Sequence, residues 1–545
     1  MPRPAGGRFL TRKALDDRLR WRHNVLIRLF FWGKWMSFLK RHGGLILAFC
    51  VIAPIYFIWT WTSQLGAIDS DGPAYLMMAQ HYSTNTVHDS VASIAASFSR
   101  FPPLYPLALA HLHVASDLRM AHAATTFFLM LALLAMYRWL LEERLSHGQA
   151  SLLVLVFASL PGSWLLGLLF QSEYLYLAWS LLALTGMSAF AQRQRKEALY
   201  LAALAVAAAA LTRTVGITLL VPLLLLSLRA PRRVAALALF VALAPLILWS
   251  ATHQHGGGYL GSLYLYKDHP LQQLRDQLSN EIPALRFGFE QNFTEIRGFS
   301  PLVDLVGAFA LTGAAVRARR LKPDGVYVLV YTCLMLVWPY PDEARRFVWV
   351  IVPILLGQSA LVIASLPTGF AERWRLQAAT GAVAGAALLS SLPAIALASE
   401  RAQSARDFGR PEARGTLYWY DADAARAERW VETELLLTDA MRRIDLEIPQ
   451  QDCVLSVRPE LINYFSHRHS TYPPPDSVAD PEFAGRLKAT GCRYVFMTRR
   501  TYTGFPEPMY PFERLGGKLK VVDSCQLPPA RYGNDSWIGV LAKLD

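Results

Sequence analysis

Long apolar runs separated by short basic clusters fill the chain from about residue 43 to about residue 398. Typical runs are GGLILAFCVIAPIYFIWTW, from Gly43, and ALYLAALAVAAAAL, from Ala198. A helix needs about 20 apolar residues to cross a hydrocarbon core of about 30 Å. The pattern therefore predicts a mainly α, polytopic transmembrane protein of about eleven spans. They are expected over 43–62, 119–140, 150–169, 174–191, 198–211, 214–228, 234–251, 301–316, 326–338, 347–366 and 376–398. The run PPLYPLALAHLHV (102–114) opens on two prolines and is too short to cross, so it is expected to lie along the outer interface.

The basic clusters orient this thread. With residue 43 starting inside, every inward turn carries Arg or Lys: Arg138 and Arg144, Arg193 to Lys196, Arg229 to Arg233, Arg317 to Lys322, and Arg373 with Arg375. That is the cytoplasmic bias of short loops. Residues 1–42 are then a cytoplasmic basic arm, whose Trp32, Trp35 and Phe38 suit an amphipathic helix on the anionic inner leaflet. The arm is too long and too basic for a cleaved signal peptide. Residues 43–398 form the membrane module, with outer loops 63–118 and 252–300. Residues 399–545 are expected outside as a small α/β domain: a helical stretch, AARAERWVETELLLTDAMRRI, precedes the β-like runs CVLSV, RYVFM, LKVVD and WIGVLA.

Composition agrees. The chain is 53% hydrophobic and 17% charged, with mean hydropathy +0.25, against about 25% charged in soluble domains. The net charge of +13 sits largely in the arm, ahead of a first span. That position speaks for a membrane surface and against nucleic acid. Of five cysteines, three (Cys453, Cys492, Cys525) fall in the tail. An external tail admits one disulfide, such as Cys492–Cys525, with a thiol left over. No CxxC or Cys/His cluster of zinc type occurs.

The polar residues next to the outer ends of the spans carry the candidate chemistry. Asp69 and Asp71 follow the first span in IDSDGPAYLMMAQHY. An acid here can serve as a general base, although Asp71 before Gly-Pro is also an ordinary helix cap. Arg100, in SRFPPLYP, can grip a phosphate or simply snorkel. Glu173 opens the fourth span, where an acid also suits a helix N-terminus. Arg213, in ALTRTVG, and the pair Arg345 and Arg346, in YPDEARR, face outward against the positive-inside bias, as cations meeting a lipid phosphate would. Lys267 in the second outer loop is a further phosphate contact by type. In the same loop His253 and His255 form an HxH without a third ligand of defined spacing. A divalent cation stays open, and no other cofactor is called for.

These residues resemble a known group. Asp71, Tyr75 and Ala79 in a D-x-x-x-Y-x-x-x-A pattern, followed by Arg100 and PPLY to Tyr105, look like the membrane glycosyltransferases of the GT-C fold. The likeness is to protein O-mannosyltransferases and lipid A aminoarabinose transferases. Ser172–Glu173 and the L-T-R-x-x-G around Arg213 also resemble elements of GPI-type mannosyltransferases. The resemblance implies an inverting transfer of sugar from a polyprenyl-phosphate donor on the outer face of the membrane; alanine- and arginine-rich loops fit a bacterial plasma membrane, with the endoplasmic reticulum as the other compartment. It makes Asp71 the catalytic base, Asp69 its understudy and Glu173 a second acid; Tyr75, Arg100, Tyr105 and Arg213 lie in its motifs as expected substrate contacts, which Lys267, Arg345 and Arg346 join as cations by type. The acceptor stays open among lipid, glycan and protein. The rival readings are a lipid or sugar transporter, which would bury charge near the midplane and show duplicated halves, and a non-catalytic scaffold.

Overall fold

A computed structural model describes residues 42–61, 71–83, 91–92, 95, 98, 101–252, 270–294, 298, 300–338, 341–367, 371–407, 423–474, 480–498, 519–532 and 537–544. Residues 1–41 of the basic arm, Asp69, Arg100, His253, His255 and Lys267 lie outside these residues.

Six described helices are long and apolar enough to cross a membrane: His42–Trp61, Leu118–Glu142, Glu173–Arg193, Arg232–Thr252, Ser300–Arg319 and Trp374–Leu397. A seventh span is a broken one. His147–Ser159 and Pro161–Gly167 meet at a 61° bend, where the third span was expected to run straight. Pro161 explains the break, because it has no N–H to continue the ladder and starts the second piece as its first residue. Thr214–Ser227, Pro323–Leu336 and Val352–Ser365 are shorter apolar helices, and Lys196–Thr212 fills the place of the fifth expected span. Leu104–His111 is only eight residues long, so it cannot cross, as its length in sequence implied.

Charged side chains gather at the two ends of this bundle. At one end Arg317 Nε meets Asp324 Oδ2 at 2.6 Å and its Nη2 donates to Glu143, while Ser188 Oγ donates to Glu143 Oε1 at 2.7 Å. Gln358 Nε2 donates to Asp324 at 3.0 Å, and Arg193 pairs with Glu142 at 2.9 Å. All but Gln358 lie at or beside turns that the threading places on one face. Asp71, Glu173, Arg213 and Arg346, threaded to the other face, meet at the opposite end.

The stretch expected as the outer loop 252–300 holds a helix among its described residues. It contains the amphipathic helix Pro270–Gln291, which packs on the short helix Ala344–Trp349. Contact is close at Gly288, where a Cβ would lie 2.7 Å from the Arg345 backbone nitrogen. Asn292, which opens the N-x-T sequon Asn292-Phe293-Thr294, is buried and its Nδ2 donates to the carbonyls of Gly288 and Arg345, at 2.8 and 3.0 Å, so the folded protein does not present it for glycosylation.

The tail forms a five-stranded mixed sheet in the order β2-β1-β3-β5-β4, from β1 (Val454–Leu455), β2 (Ser470–Thr471), β3 (Tyr494–Thr498), β4 (Leu519–Gln526) and β5 (Trp537–Leu544). Helix Ala424–Glu447 covers it through Val431, Leu437, Met441 and Ile444. The disulfide joins Cys453 to Cys492, not Cys492 to Cys525. Sheet order is the reason: β1 and β3 are parallel neighbours with Val454 opposite Tyr494, whereas β5 separates β3 from Cys525. Closing a loop of 39 residues, this bond is expected to stabilise the tail by about 2–4 kcal/mol. Cys453→Ser with Cys492→Ser should therefore lower the tail's unfolding temperature, and reductant should have no further effect on that variant.

Helix Pro459–Ser466 of the tail packs on helix Gly72–Ser83. The tail and the residues following the first span thus share one end of the molecule.

Candidate functional site

Asp71 precedes helix Gly72–Ser83, whose first turn closes with the Tyr75 amide donating to the Asp71 carbonyl at 3.1 Å. Gly72 to Ala79 are buried, so this helix is held on most of its circumference and fixes the position of Asp71. Glu173 opens its long helix and is fully buried. Arg213 stands in extended conformation (φ −147°, ψ 135°) between helix Lys196–Thr212 and the 3-10 turn Thr214–Leu219. The turn folds back so tightly that a Cβ on Gly216 would lie 2.5 Å from the Ala210 nitrogen. That is a physical reason for glycine in the L-T-R-x-x-G run. Gly216→Val is expected to displace Arg213 and to lower thermal stability by more than 1 kcal/mol, measurable on the purified protein.

Arg346, on helix Ala344–Trp349, links the pieces. Its Nη2 donates to Asp71 Oδ2 at 2.9 Å and lies 3.0 Å from Glu343 Oε2, while its Nε lies 3.1 Å from Glu173 Oε1. Arg213 Nη1 pairs with the same Glu173 oxygen and donates to Ser172 Oγ at 3.3 Å. Ser172 in turn bonds the Tyr75 hydroxyl at 3.3 Å, and the Tyr75 ring meets Tyr105 edge-on at 5.0 Å between centroids. Phe347 lies beneath both cations, its ring centroid 5.3 Å from the Arg213 guanidinium and 5.2 Å from that of Arg346.

Exposure grades across the acids. Glu173 is 0% exposed, Asp71 29% and Glu343 39%. Burial alone would raise the Asp71 carboxyl, but the Arg346 guanidinium, helped by Arg213 and Arg458, holds it below its ordinary value. Burial pushes Glu343 up; Arg346 opposes this, and the negative Asp71 adds to the rise. The arrangement offers an ionised, partly accessible carboxylate over a buried, ion-paired pedestal.

Six of the expected residues meet here: Asp71, Tyr75, Tyr105, Glu173, Arg213 and Arg346. Arg345 does not join them. Its Nη2 donates to the Gln291 carbonyl at 2.9 Å, because neighbouring residues on a helix point about 100° apart. Asp69, Arg100 and Lys267 fall outside the described residues. Ser172 was named in the sequence only as part of the Ser172–Glu173 element, and Glu343 and Phe347 were not singled out. Glu343 lies three before Arg346 in PDEARR, a spacing that places both on one helical face. Among the described residues no group of three or more His, Cys, Asp or Glu is arranged to hold a metal ion.

The fold is that of a polytopic, mainly helical membrane protein with a small α/β tail, the GT-C fold. The structure is similar over nearly its whole length to ArnT from Cupriavidus metallidurans in the apo state: TM-score 0.52 at 10% identity, covering 92% of this chain and 98% of that one. The same enzyme bound to undecaprenyl phosphate gives 0.48 at 12%, with 92% and 98% coverage. The oligosaccharyltransferase of Archaeoglobus fulgidus in the apo form gives 0.46 at 12%, covering 85% and 70%. No protein-family profile matches the sequence, and no curated protein matches it.

Proposed function

We propose that this chain is an inverting glycosyltransferase that moves a sugar from a polyprenyl-phosphate donor to an acceptor hydroxyl on the outer face of a bacterial plasma membrane. The observation that carries the reading is the partly exposed Asp71 carboxylate held ionised by Arg346 beside the Glu173–Arg213 pair. A base kept ionised at neutral pH can take the acceptor's proton as its oxygen attacks the anomeric carbon. The phosphate leaves with the bonding pair, and preorganised cations stabilise its charge. Arg213 and Arg346 would supply them, joined from the loops by Arg100 and Lys267. Tyr75 and Tyr105 would line the approach, with Asp69 next to the base. Arg345 would instead anchor the helix pair through Gln291.

Two features support the outer face. A disulfide persists in an oxidising compartment, and the tail that contains Cys453–Cys492 packs on the helix next to Asp71. The basic inward turns support the same orientation, with the arm in the cytoplasm.

The test is a panel of undecaprenyl-phosphate sugars with labelled lipid, presented to the purified full chain together with envelope lipid and glycan fractions as acceptors. Release of undecaprenyl phosphate that depends on the acceptor is expected from at least one donor. Transbilayer movement of the donors without release would instead make the protein a transporter.

A further inference from the structure

Asp71 accepts from Arg346 Nη2 at 2.9 Å, and Glu343 Oε2 lies 3.0 Å from the same nitrogen as an ion pair. Two oxygens each about 3 Å from one nitrogen lie within about 6 Å of each other, the span that one bridging water or hydroxyl covers. The base in the proposed reaction therefore has a second carboxyl at its side. Nothing in the transfer itself employs that group.

Position separates their roles. Asp71 is the less exposed and faces the buried pedestal, whereas Glu343 ends the turn Pro341–Glu343 at the rim and is the most exposed acid of the cluster. Other charges reach Glu343 from every side. Arg346 lies on its own element, Asp71 precedes helix Gly72–Ser83, Glu173 opens its long helix, and Arg213 stands before the 3-10 turn. Helix Pro270–Gln291 also packs against the turn. Its buried Glu281 is held by Gln277, which also donates to the Trp338 carbonyl, and its Arg286 and Glu290 form an ion-pair group with Asp304. Glu343 thus sits beside two other acids, Asp71 and Glu173, and shares its nearest cation, Arg346, with both, while Arg213 adds a weaker pull. That environment favours its protonated form, whereas Asp71 takes the stronger share of Arg346.

We propose that Glu343 is the proton relay of this site, taking from Asp71 the proton removed from the acceptor and passing it to solvent. In the transfer the acceptor O–H bond breaks, its proton goes to Asp71, the acceptor oxygen bonds the anomeric carbon, and the carbon–phosphate oxygen bond breaks with its electron pair on the phosphate. The proton then crosses to Glu343 and leaves from the rim, which returns Asp71 to its ionised state. This rests on the reading of Asp71 as base.

The first test needs no substrate. Infrared carboxyl spectra of the full chain in nanodiscs are titrated from alkaline to acid pH, with bands assigned by their loss in Glu343→Gln and Asp71→Asn. The Glu343 band is expected to appear at higher pH than that of Asp71, and to move to lower pH in Asp71→Asn, where the neighbouring negative charge is gone. The reverse order would overturn the proposal. The second test uses rapid quench with the undecaprenyl-phosphate sugar that the labelled panel identifies. Glu343→Gln should give one fast turnover per molecule and then a steady rate at least about tenfold below native, and Glu343→Asp should restore it. Equal loss in both phases would make Glu343 merely a prop for Arg346, and no loss in either would remove it from the reaction. Both outcomes overturn the relay. A fast first turnover in Asp71→Asn would instead sink the base assignment itself. Should the glutamine variant fail to fold, the order of the two bands in the native protein and in Glu343→Asp still decides.

Discussion

Asp71→Asn is expected to lower sugar transfer by about two to four orders of magnitude while leaving the protein folded and inserted in the membrane. Asparagine keeps the shape of the side chain and can still accept from Arg346 Nη2, so the contact with helix Ala344–Trp349 survives in weaker form. What it cannot do is take a proton. The loss should therefore appear in turnover with little change in donor binding, and a labelled-lipid release assay beside a thermal melt separates the two. The pH dependence follows from the same contact. Arg346 holds Asp71 below the ordinary carboxylate value. The base therefore stays ionised above that depressed value, and activity falls only as the pH drops through it. Arg346→Gln would take away the main lowering charge and move that acid limb to higher pH.

Glu173→Gln should have the second large effect, first on stability. Glu173 is fully buried and joins Arg213, 11% exposed, to Arg346, 18% exposed. Without its charge two guanidiniums face each other at low exposure with no buried anion between them. Breaking a buried ion pair on one side costs about 3–5 kcal/mol, and here two cations lose the same partner. The unfolding transition in detergent should drop by that much, and transfer should fall with it because Arg346 would no longer be placed against Asp71. A Glu173→Gln, Arg213→Met double variant should recover part of the stability, since one of the stranded charges is removed. A drop of less than about 1 kcal/mol in the single variant would mean that Glu173 is not the keystone of the cluster.

Much of the fold could be read from hydropathy because bilayer-crossing helices are selected on length and apolarity alone. The same patterning brought out Asp71, Glu173, Arg213 and Arg346, since a charge at the outer edge of an apolar run is conspicuous. Features set by three-dimensional neighbours were less visible. The Cys453–Cys492 bond depends on β1 lying beside β3, which strand-like runs do not reveal. Arg345 and Arg346 read as a pair in sequence, yet the turn of the helix sends one to Gln291 and the other to Asp71. Glu343 was passed over because its spacing to Arg346 reads as a local helix pair, while Asp71, which shares that guanidinium, lies on a distant segment. Helix Pro270–Gln291 was concealed by its charge, although Leu271, Leu274, Leu278, Ile282, Leu285 and Phe289 recur at helical spacing. The bend at Pro161 was signalled by the proline, but the apolar run continues through it.

The chemistry proposed here requires Asp71 to lie on the side of the membrane where the disulfide-bonded tail resides. A single cysteine placed at position 71, in a background lacking Cys50, Cys333 and Cys525, reports this directly. In intact cells, with the outer envelope opened, a membrane-impermeant maleimide should label that thiol as readily as it labels one introduced in the tail. Labelling only from inverted vesicles would put the carboxylate on the cytoplasmic side and contradict the account.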